Sequence, residues 1–313
     1  MIFFFYGPNS FAARRKLRDM MAAYVKKTGS DFGLERVDGA ATTIDGLATT
    51  LLAMPFLASS RLVIIEELSA NKAVADKLGK LLERVPESTV AVFYDSEVDQ
   101  RTSYFKTMLK QTKAVKFDKL AVPQLTAWIK REVEKQGGTI DRPAISLLIE
   151  AAGEDQWRLE QETIKLVSYN PTVTRETIQL LVTRSDTQTI FELVDAMTAG
   201  NIKKALVMFR GLVADKTNEI YILTMVTWQL RNLLLAKTAG PLTQSELAKR
   251  AGMSPYVAGK ALVKQREFSE AALVAAFLAA IETDYSIKSG QGQADQLVEN
   301  LIYRVAAGSV SQQ

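Results

Sequence analysis

The residues Ile2-Phe3-Phe4-Phe5-Tyr6 are followed by Gly7-Pro8-Asn9-Ser10 and then by a run with helical periodicity. A strand, a tight turn and a helix in this order are where nucleotide-binding proteins place their phosphate loop. That loop needs a glycine-rich turn, whose amides surround the phosphates, and then Gly-Lys-Ser/Thr. After Gly7 the chain has no second glycine and no Lys-Ser/Thr pair as far as Arg15. The sequence therefore indicates a nucleotide-binding architecture that cannot hold triphosphate, which favours a protein that acts by binding partners.

Composition limits both the fold and the chemistry. The chain has 313 residues, of which 47% are hydrophobic and 24% charged, as expected for two or three compact globular units. It contains no cysteine and no histidine. This excludes disulfides, thiol nucleophiles, Ser-His and Cys-His pairs and the usual zinc sites. We therefore expect no catalytic residue, no cofactor and no bound metal.

The net charge is +4, and the whole excess lies in residues 1–120. Such an excess is compatible with touching DNA inside a larger assembly, but it is weaker than the patch of an autonomous DNA-binding protein. The longest uncharged apolar run, 271–281, is far shorter than the roughly 20 residues that cross a bilayer. Basic residues follow the first strand too soon for a secretory signal. We expect a cytoplasmic protein that does not enter a membrane.

Residues 1–120 alternate short β-rich runs with helical stretches, which predicts an α/β domain with a five-stranded, mostly parallel sheet. The strand candidates in the middle of this region are nearly all apolar, as expected for strands buried on both faces. The expected strands are 2–6, 34–38, 62–66, 90–94 and 114–117. The expected helices are 11–27, 44–53, 74–84 and 103–110.

From residue 121 onward helical periodicity replaces the strand signals. We expect a small all-α module over 121–185, a junction at Ser185-Asp186-Thr187, and a separate all-α bundle over 186–313. The expected helices of the module are 123–136, 142–152, 156–168 and one opened by Thr174. Those of the bundle are 190–199, 202–213, 219–236, 244–251, 255–265, 271–288 and 294–307. Spacing typical of a helix core predicts that these side chains are buried in the bundle: Tyr221, Trp228, Leu230, Leu233 and Leu234.

Acidic residues near two strand ends are candidates for metal or acid–base chemistry. Glu66 and Glu67 end the third strand, and Asp95, Glu97 and Asp99 follow the fourth. Without a phosphate loop opposite them, Glu66 and Glu67 have no triphosphate-bound metal to engage, so we interpret them as the solvated end of a buried strand. The second group is interpreted as a solvated loop. The alternative is a degenerate metal-dependent ATPase or nuclease that uses Glu66, Glu67 and Asp95.

Four basic residues follow that loop: Arg101, Lys106, Lys110 and Lys113. They could face a phosphate backbone or form an ordinary solvated helix face, and the pattern does not separate the two. A stand-alone DNA-binding adaptor is the remaining functional class. The balanced charge of residues 121–313 argues against it.

The connection before the third strand reads Met54-Pro55-Phe56-Leu57. The preceding helix should stop before Pro55, so Phe56 and Leu57 fall on a loop, where two large apolar residues are difficult to bury. They could be tucked under the domain. Equally, they could form an exposed anchor for a partner's pocket, because such side chains carry much of the energy of compact interfaces.

Several segments, taken in order, resemble the delta subunit family of bacterial DNA polymerase III, which belongs to the AAA+-type clamp loaders. In the first 120 residues the resemblance rests on 6–7 (YG), 10–11 (SF), 54–63 (MPFLASSRLV) and 99–106 (DQRTSYFK). Beyond them it rests on 125–129 (LTAWI), 160–166 (EQETIKL), 190–197 (IFELVDAM), 200 (G), 203–206 (KKAL) and 228–234 (WQLRNLL). Each piece is degenerate, but their common order over about 300 residues is fairly specific.

The resemblance implies an AAA+-like domain over 1–120 that binds the sliding clamp without hydrolysing ATP, a helical lid over 121–185, and a helical collar over 186–313. The implied partners are the clamp (beta subunit), the ATPase subunits and delta prime through the collar, and primed DNA within the assembly. In that family the hydrophobic pair before strand three enters the clamp, which assigns clamp binding to Met54, Pro55, Phe56 and Leu57. In the loader subunit that carries an arginine finger, that arginine lies before strand five, where this chain has Gln111-Thr112-Lys113. The resemblance therefore argues against the finger-bearing role for this chain. The residues that face DNA stay unassigned.

Overall fold

The computed structural model describes residues 1–55, 59–183, 186–253 and 255–310. The chain folds as two compact units, Met1–Leu120 and Ala121–Gln313. In the ranges described, none of the helices has both the length and the apolar composition needed to cross a membrane.

The first unit contains a five-stranded sheet in which all neighbouring strands are parallel. The strands are β1 (Ile2–Tyr6), β2 (Leu34–Asp38), β3 (Arg61–Glu66), β4 (Thr89–Asp95) and β5 (Lys113–Lys116). Their order across the sheet is β2-β3-β4-β1-β5. The α/β class and the parallel sheet predicted from the apolar strand pattern are therefore confirmed.

Helices cover both faces of this sheet. They are α1 (Ser10–Thr28), α2 (Ile44–Leu52), α3 (Lys72–Ala75), α4 (Leu78–Leu82) and α5 (Ser103–Gln111). Successive strand residues point to opposite faces, so neighbours in sequence enter different apolar clusters. Phe4 and Ile65 pack with residues of α2 to α5, whereas Phe5 and Ile64 pack with α1. This is why the central strands are apolar at consecutive positions.

The helix predicted over 74–84 is two short helices, α3 and α4, separated by a turn at Asp76 and Lys77. The Lys77 amide bonds to the Val74 carbonyl, three residues back, which interrupts the regular four-residue ladder. The buried side chains on both sides, Val74 and Leu78 among them, still reach one apolar cluster. The pattern of apolar residues therefore survives the break, which explains why it suggested a single helix.

The second unit begins with four helices and a small parallel sheet. The helices are α6 (Val122–Lys135), α7 (Arg142–Ala152), α8 (Gln156–Tyr169) and α9 (Arg175–Leu181). The sheet pairs β6 (Thr139–Ile140) with β7 (Thr172–Val173). Strands of two residues are too short to show a sequence pattern, and they were not predicted.

Seven further helices share one apolar core. They are α10 (Asp186–Thr198), α11 (Ile202–Ala214), α12 (Glu219–Thr238), α13 (Gln244–Ala251), α14 (Pro255–Lys264), α15 (Glu270–Lys288) and α16 (Ala294–Val310). α10 begins at Asp186, within the predicted junction and four residues before the predicted helix start at 190. Asp186 accepts a hydrogen bond from the Thr217 hydroxyl (3.1 Å), and Ser185 lies outside the described residues. An acidic side chain in the first turn suits the positive end of the helix dipole.

The predicted core face of α12 is correct for most of its residues. Leu230 and Leu233 are fully buried, and Trp228 and Leu234 are partly buried against the core. The Trp228 ring stacks on Phe191 with 6.1 Å between centroids. Tyr221 is 43% exposed, so its assignment to the core is wrong. It lies in the first turn of α12, where its neighbours Ile222 and Leu223 are the residues buried in the core.

Candidate functional site

The turn after β1 occupies the position of a phosphate loop, but its backbone amides donate hydrogen bonds to carbonyls of the protein itself. The Gly7 amide donates to the Asp95 carbonyl (3.2 Å), and the Asn9 amide donates to the Phe117 carbonyl (3.0 Å). Pro8 has no amide hydrogen. Gly7 has a φ of 117°, and a Cβ there would lie 2.6 Å from the Phe117 oxygen. The turn therefore packs against the chain that follows β5.

Asn9 closes the same turn onto α1. Its side-chain oxygen accepts from the Ala12 amide (3.0 Å), capping the helix, and its side-chain nitrogen donates to the Asp118 carbonyl (3.1 Å). The residue is almost fully buried. The amide groups that a phosphate would need are thus directed at protein oxygens.

The strand-end acids have separate partners within the first unit. The Glu66 carboxylate pairs with Arg36 and, at 3.4 Å, with Arg14. The Glu67 carboxylate accepts from the Ser96 amide (3.2 and 3.3 Å), and its backbone has a positive φ of 56°. Among the described residues no group of three or more acids is arranged to hold a metal ion.

Asp95 is fully buried, so its predicted place in a solvated loop is wrong. One carboxylate oxygen accepts from the Ser69 amide (2.9 Å), and the other accepts from the Tyr104 hydroxyl (2.6 Å). Burial raises the pKa of Asp95, and these hydrogen bonds oppose the shift. Burial and the neighbouring carboxylate also raise the pKa of Tyr104. The network joins β4 to the segment after β3 and to α5.

The rest of that loop is exposed, as predicted. Glu97 and Asp99 face solvent, and hydrogen bonds from Arg101 lower the pKa of Asp99 to about 2. The Arg101 guanidinium lies 2.8 Å from an Asp99 oxygen. Arg101 was expected at the start of the helix, and it lies two residues before α5. Lys106 and Lys110 are exposed one turn apart on α5, and Lys113 begins β5. A role of these cations in contacting phosphate stays a prediction.

The connection from α2 to β3 carries the predicted partner-binding residues. The Met54 side chain is 74% exposed, and Pro55 is partly exposed. Phe56 and Leu57 lie outside the described residues. We call residues 53–55 and 59–60, which border the undescribed residues 56–58, the β3 loop.

Arg61 fixes both ends of the β3 loop. Its guanidinium donates to the carbonyls of Thr50 and Ala53 (3.2 Å for Ala53), and so holds the last turn of α2. It also pairs with Glu35 (2.5 Å), whose other carboxylate oxygen accepts from the Thr50 hydroxyl (3.0 Å). Only 12% of the Arg61 side chain is exposed. A single cation therefore connects α2, β2 and the start of β3.

Tyr24 fixes the last residue of the β3 loop. Its hydroxyl, at the far end of α1, donates to the Ser60 carbonyl (2.8 Å). Gly33 leaves room for this contact, because a Cβ there would lie 2.0 Å from the Tyr24 oxygen and 2.7 Å from the Ser60 oxygen. The Gly33 carbonyl in turn accepts from the Leu62 amide (2.8 Å). The base of the loop is a hydrogen-bonded platform of three segments.

Sequence patterns did not identify this platform. Arg61, Glu35 and Tyr24 belong to three different elements, and their meeting depends on the pairing of β2 with β3. The one available signal was a basic residue directly before the apolar run Leu62-Val63-Ile64-Ile65 of β3.

Comparisons with known proteins decide the family. The model of the DNA polymerase III delta subunit matches residues 3–118, and the model of the C-terminal domain of that subunit matches residues 187–305. The two matches lie in sequence order and together cover well over half of the chain. The chain belongs to the DNA polymerase III delta subunit family.

Individual delta proteins agree with this assignment. The DNA polymerase III subunit delta of Bacillus subtilis (strain 168) is 22% identical over 314 residues, covering 95% of this chain and 90% of that protein. The solved structure of the Bacillus subtilis DNA clamp loader delta protein superposes with a TM-score of 0.67 at 21% identity, covering 98% of this chain and 95% of the other. The superposition shows that the delta fold extends over nearly the whole chain.

Proposed function

We propose that the chain is the clamp-loader subunit that binds and opens the ring-shaped sliding clamp during DNA replication, without hydrolysing ATP itself. The observation that carries this proposal is the β3 loop, which presents an exposed Met54 on a base fixed by Arg61 and Tyr24. A loop whose ends are already ordered loses less entropy on binding than a free segment. Met54, Pro55, Phe56 and Leu57 are the proposed contacts.

The turn after β1 supports the absence of ATP hydrolysis. Catalysis of phosphoryl transfer depends on donors and a metal held around the phosphates. Here the Gly7 and Asn9 amides are bonded to main-chain carbonyls, and Glu66 is paired with two arginines. ATP bound by sister subunits would instead position the β3 loop against the clamp, and hydrolysis there would withdraw it.

Assembly with the other loader subunits is proposed to use the helices of residues 186–313. The outer face of α15 supports this, because four large apolar side chains repeat on it at spacings of four, three and four residues. They are Val274, Leu278, Ile281 and Tyr285, exposed by 37, 53, 45 and 67%. Apolar side chains at this spacing are suited to packing against another helix. The implied partners are the ATPase subunits and delta prime, with primed DNA inside the assembly and a cytoplasmic location.

The described side chains give less support to a metal-dependent enzyme or to a stand-alone DNA-binding adaptor. An ATPase or nuclease using Glu66, Glu67 and Asp95 would need these acids to converge, whereas Asp95 is buried against Tyr104 and Glu67 is bonded to the Ser96 amide. A stand-alone DNA-binding adaptor would need a dense basic surface, and the net charge of +4 is modest.

The decisive experiment is binding of the purified chain to the sliding clamp of its own organism. We expect tight binding by the wild type and loss of binding by the Phe56→Ala/Leu57→Ala double variant. Full burial of two such side chains would contribute about 3–6 kcal/mol before ordering costs. The matched control is Leu109→Ala/Val115→Ala, which truncates two exposed apolar side chains on α5 and on β5, the edge strand at the opposite end of the sheet from β2. Failure of the wild type to bind an active clamp would refute the proposal.

A further inference from the structure

A second large apolar side chain is exposed beside the β3 loop. Phe32 is 75% exposed and Met54 is 74% exposed, the two highest values for large apolar side chains among the described residues. Single exposed apolar residues are common on protein surfaces and need no explanation. Phe32 precedes β2 and Met54 precedes β3, the strand paired with β2, so the two most exposed of these side chains suggest a shared use.

The backbone holds Phe32 next to this loop. β2 and β3 are parallel, with Leu34 opposite Leu62, so the segments that precede the two strands emerge at the same edge of the sheet. The Gly33 carbonyl accepts from the Leu62 amide (2.8 Å), and Gly33 lies against the Ser60 carbonyl. Phe32 is therefore the immediate sequence neighbour of Gly33, which contacts the base of the loop.

The Phe32 backbone is also fixed. The Leu34 amide donates to the Asp31 carbonyl (2.8 Å), which closes a four-residue turn with Phe32 at its second position. Before this turn, the Thr28 hydroxyl donates to the Ser30 carbonyl (2.7 Å). An aromatic side chain on an ordered backbone can be buried by a partner at low entropic cost.

We propose that Phe32 is a second apolar anchor of the clamp-binding surface, so that the surface comprises the 31–34 turn and the β3 loop together. This inference rests on the proposed function, because its occupant is the same clamp. Aromatic side chains are prominent among the residues that dominate interface energy. The clamp would contact two neighbouring apolar regions, one on the 31–34 turn and the other on the β3 loop.

The test is equilibrium binding of the full chain to the clamp with Phe32→Ala, Phe32→Leu and the control Leu109→Ala. We expect about a tenfold weaker affinity for Phe32→Ala, a typical loss for a contributing contact. Phe32→Leu should retain most of the affinity, because it keeps the apolar contact. Leu109, 44% exposed, lies on α5, which contacts β1 and β5, the two strands farthest from β2 in the sheet, so its variant should bind like the wild type.

A second measurement does not depend on any variant. Oxidative footprinting of the wild type should show lower modification of Phe32 when the clamp is added. Wild-type affinity in Phe32→Ala, together with loss of binding in Phe56→Ala/Leu57→Ala, would overturn this inference and leave the proposed function intact. Unchanged modification of Phe32 in a verified complex would do the same. Absence of wild-type binding would remove both.

Discussion

Replacement of Arg61 by methionine should loosen the β3 loop while the rest of the first unit stays folded. The variant keeps an apolar stem of similar length and removes the guanidinium. The variant loses the hydrogen bonds to the Thr50 and Ala53 carbonyls and the ion pair with Glu35. A hydrogen bond to a charged group contributes about 1.5–3 kcal/mol. Water can reach the freed carbonyls in part, so we expect a net loss of about 2 kcal/mol for all contacts together.

Hydrogen exchange of the full chain measures this loss locally. A change of about 2 kcal/mol corresponds to roughly a 30-fold larger opening equilibrium, since 1.4 kcal/mol is a factor of ten. The faster exchange should appear in the last turn of α2 and at the start of β3, and it should be absent from α15. Clamp binding should weaken as well, because a disordered loop must be ordered on binding.

Arg101→Met is the matched control. It makes the same chemical change at a side chain that is 91% exposed. This arginine pairs with Asp99, and both residues lie in the loop between β4 and α5. Exposed ion pairs contribute little to stability, so exchange in α2 and β3 should match that of the wild type. Equal protection of these segments in Arg61→Met and the wild type would refute the view that Arg61 fixes the loop.

Three further predictions address other parts of the molecule. Gly33→Ala should destabilise the first unit by about 1–3 kcal/mol through overpacking, and by less in a Tyr24→Phe background, as circular dichroism during urea unfolding can measure. Since burial raises the pKa of Asp95, the folded state holds that proton more tightly than the unfolded chain, and stability should fall as pH rises from the ordinary carboxyl pKa through the raised value. Asp95→Asn should abolish this decline in unfolding midpoints measured between about pH 4 and about pH 7. Leu278→Lys/Ile281→Lys should prevent assembly with the other loader subunits, measured by sedimentation, and leave clamp binding intact.

The sheet was predictable because its information is local. β1, β3 and β4 are apolar at successive positions, which is typical of strands covered on both sides, and their boundaries came within a residue or two. The turn at Asp76 and Lys77 was not predictable, because the apolar side chains before and after it serve the same cluster. Periodicity reports which residues face the core and does not report a local change in the hydrogen-bond ladder.

The site was predictable only as far as its exposed residues. The apolar letters after Pro55 suggested a loop that carries anchors, yet pattern alone left burial and exposure equally open. The Arg61 platform depends on Glu35 and Tyr24, which are 26 and 37 positions earlier in the chain. Asp95 was placed in solvent because its neighbours Glu97 and Asp99 are polar. The Tyr104 hydroxyl and the Ser69 amide that allow its burial come from other elements.

The two edges of the sheet differ in what they offer to a ligand. Open parallel sheets usually bind ligands beyond the carboxyl ends of their strands. At that edge, Gly7 bonds to the Asp95 carbonyl and Asn9 bonds to the Phe117 carbonyl, so the amides after β1 are directed into the protein. At the amino edge, Phe32 and Met54 are exposed above a hydrogen-bonded base. A fold with this division is suited to exchanging nucleotide chemistry for protein contacts, and the proposal that the clamp binds at the amino edge rests on where these apolar side chains lie.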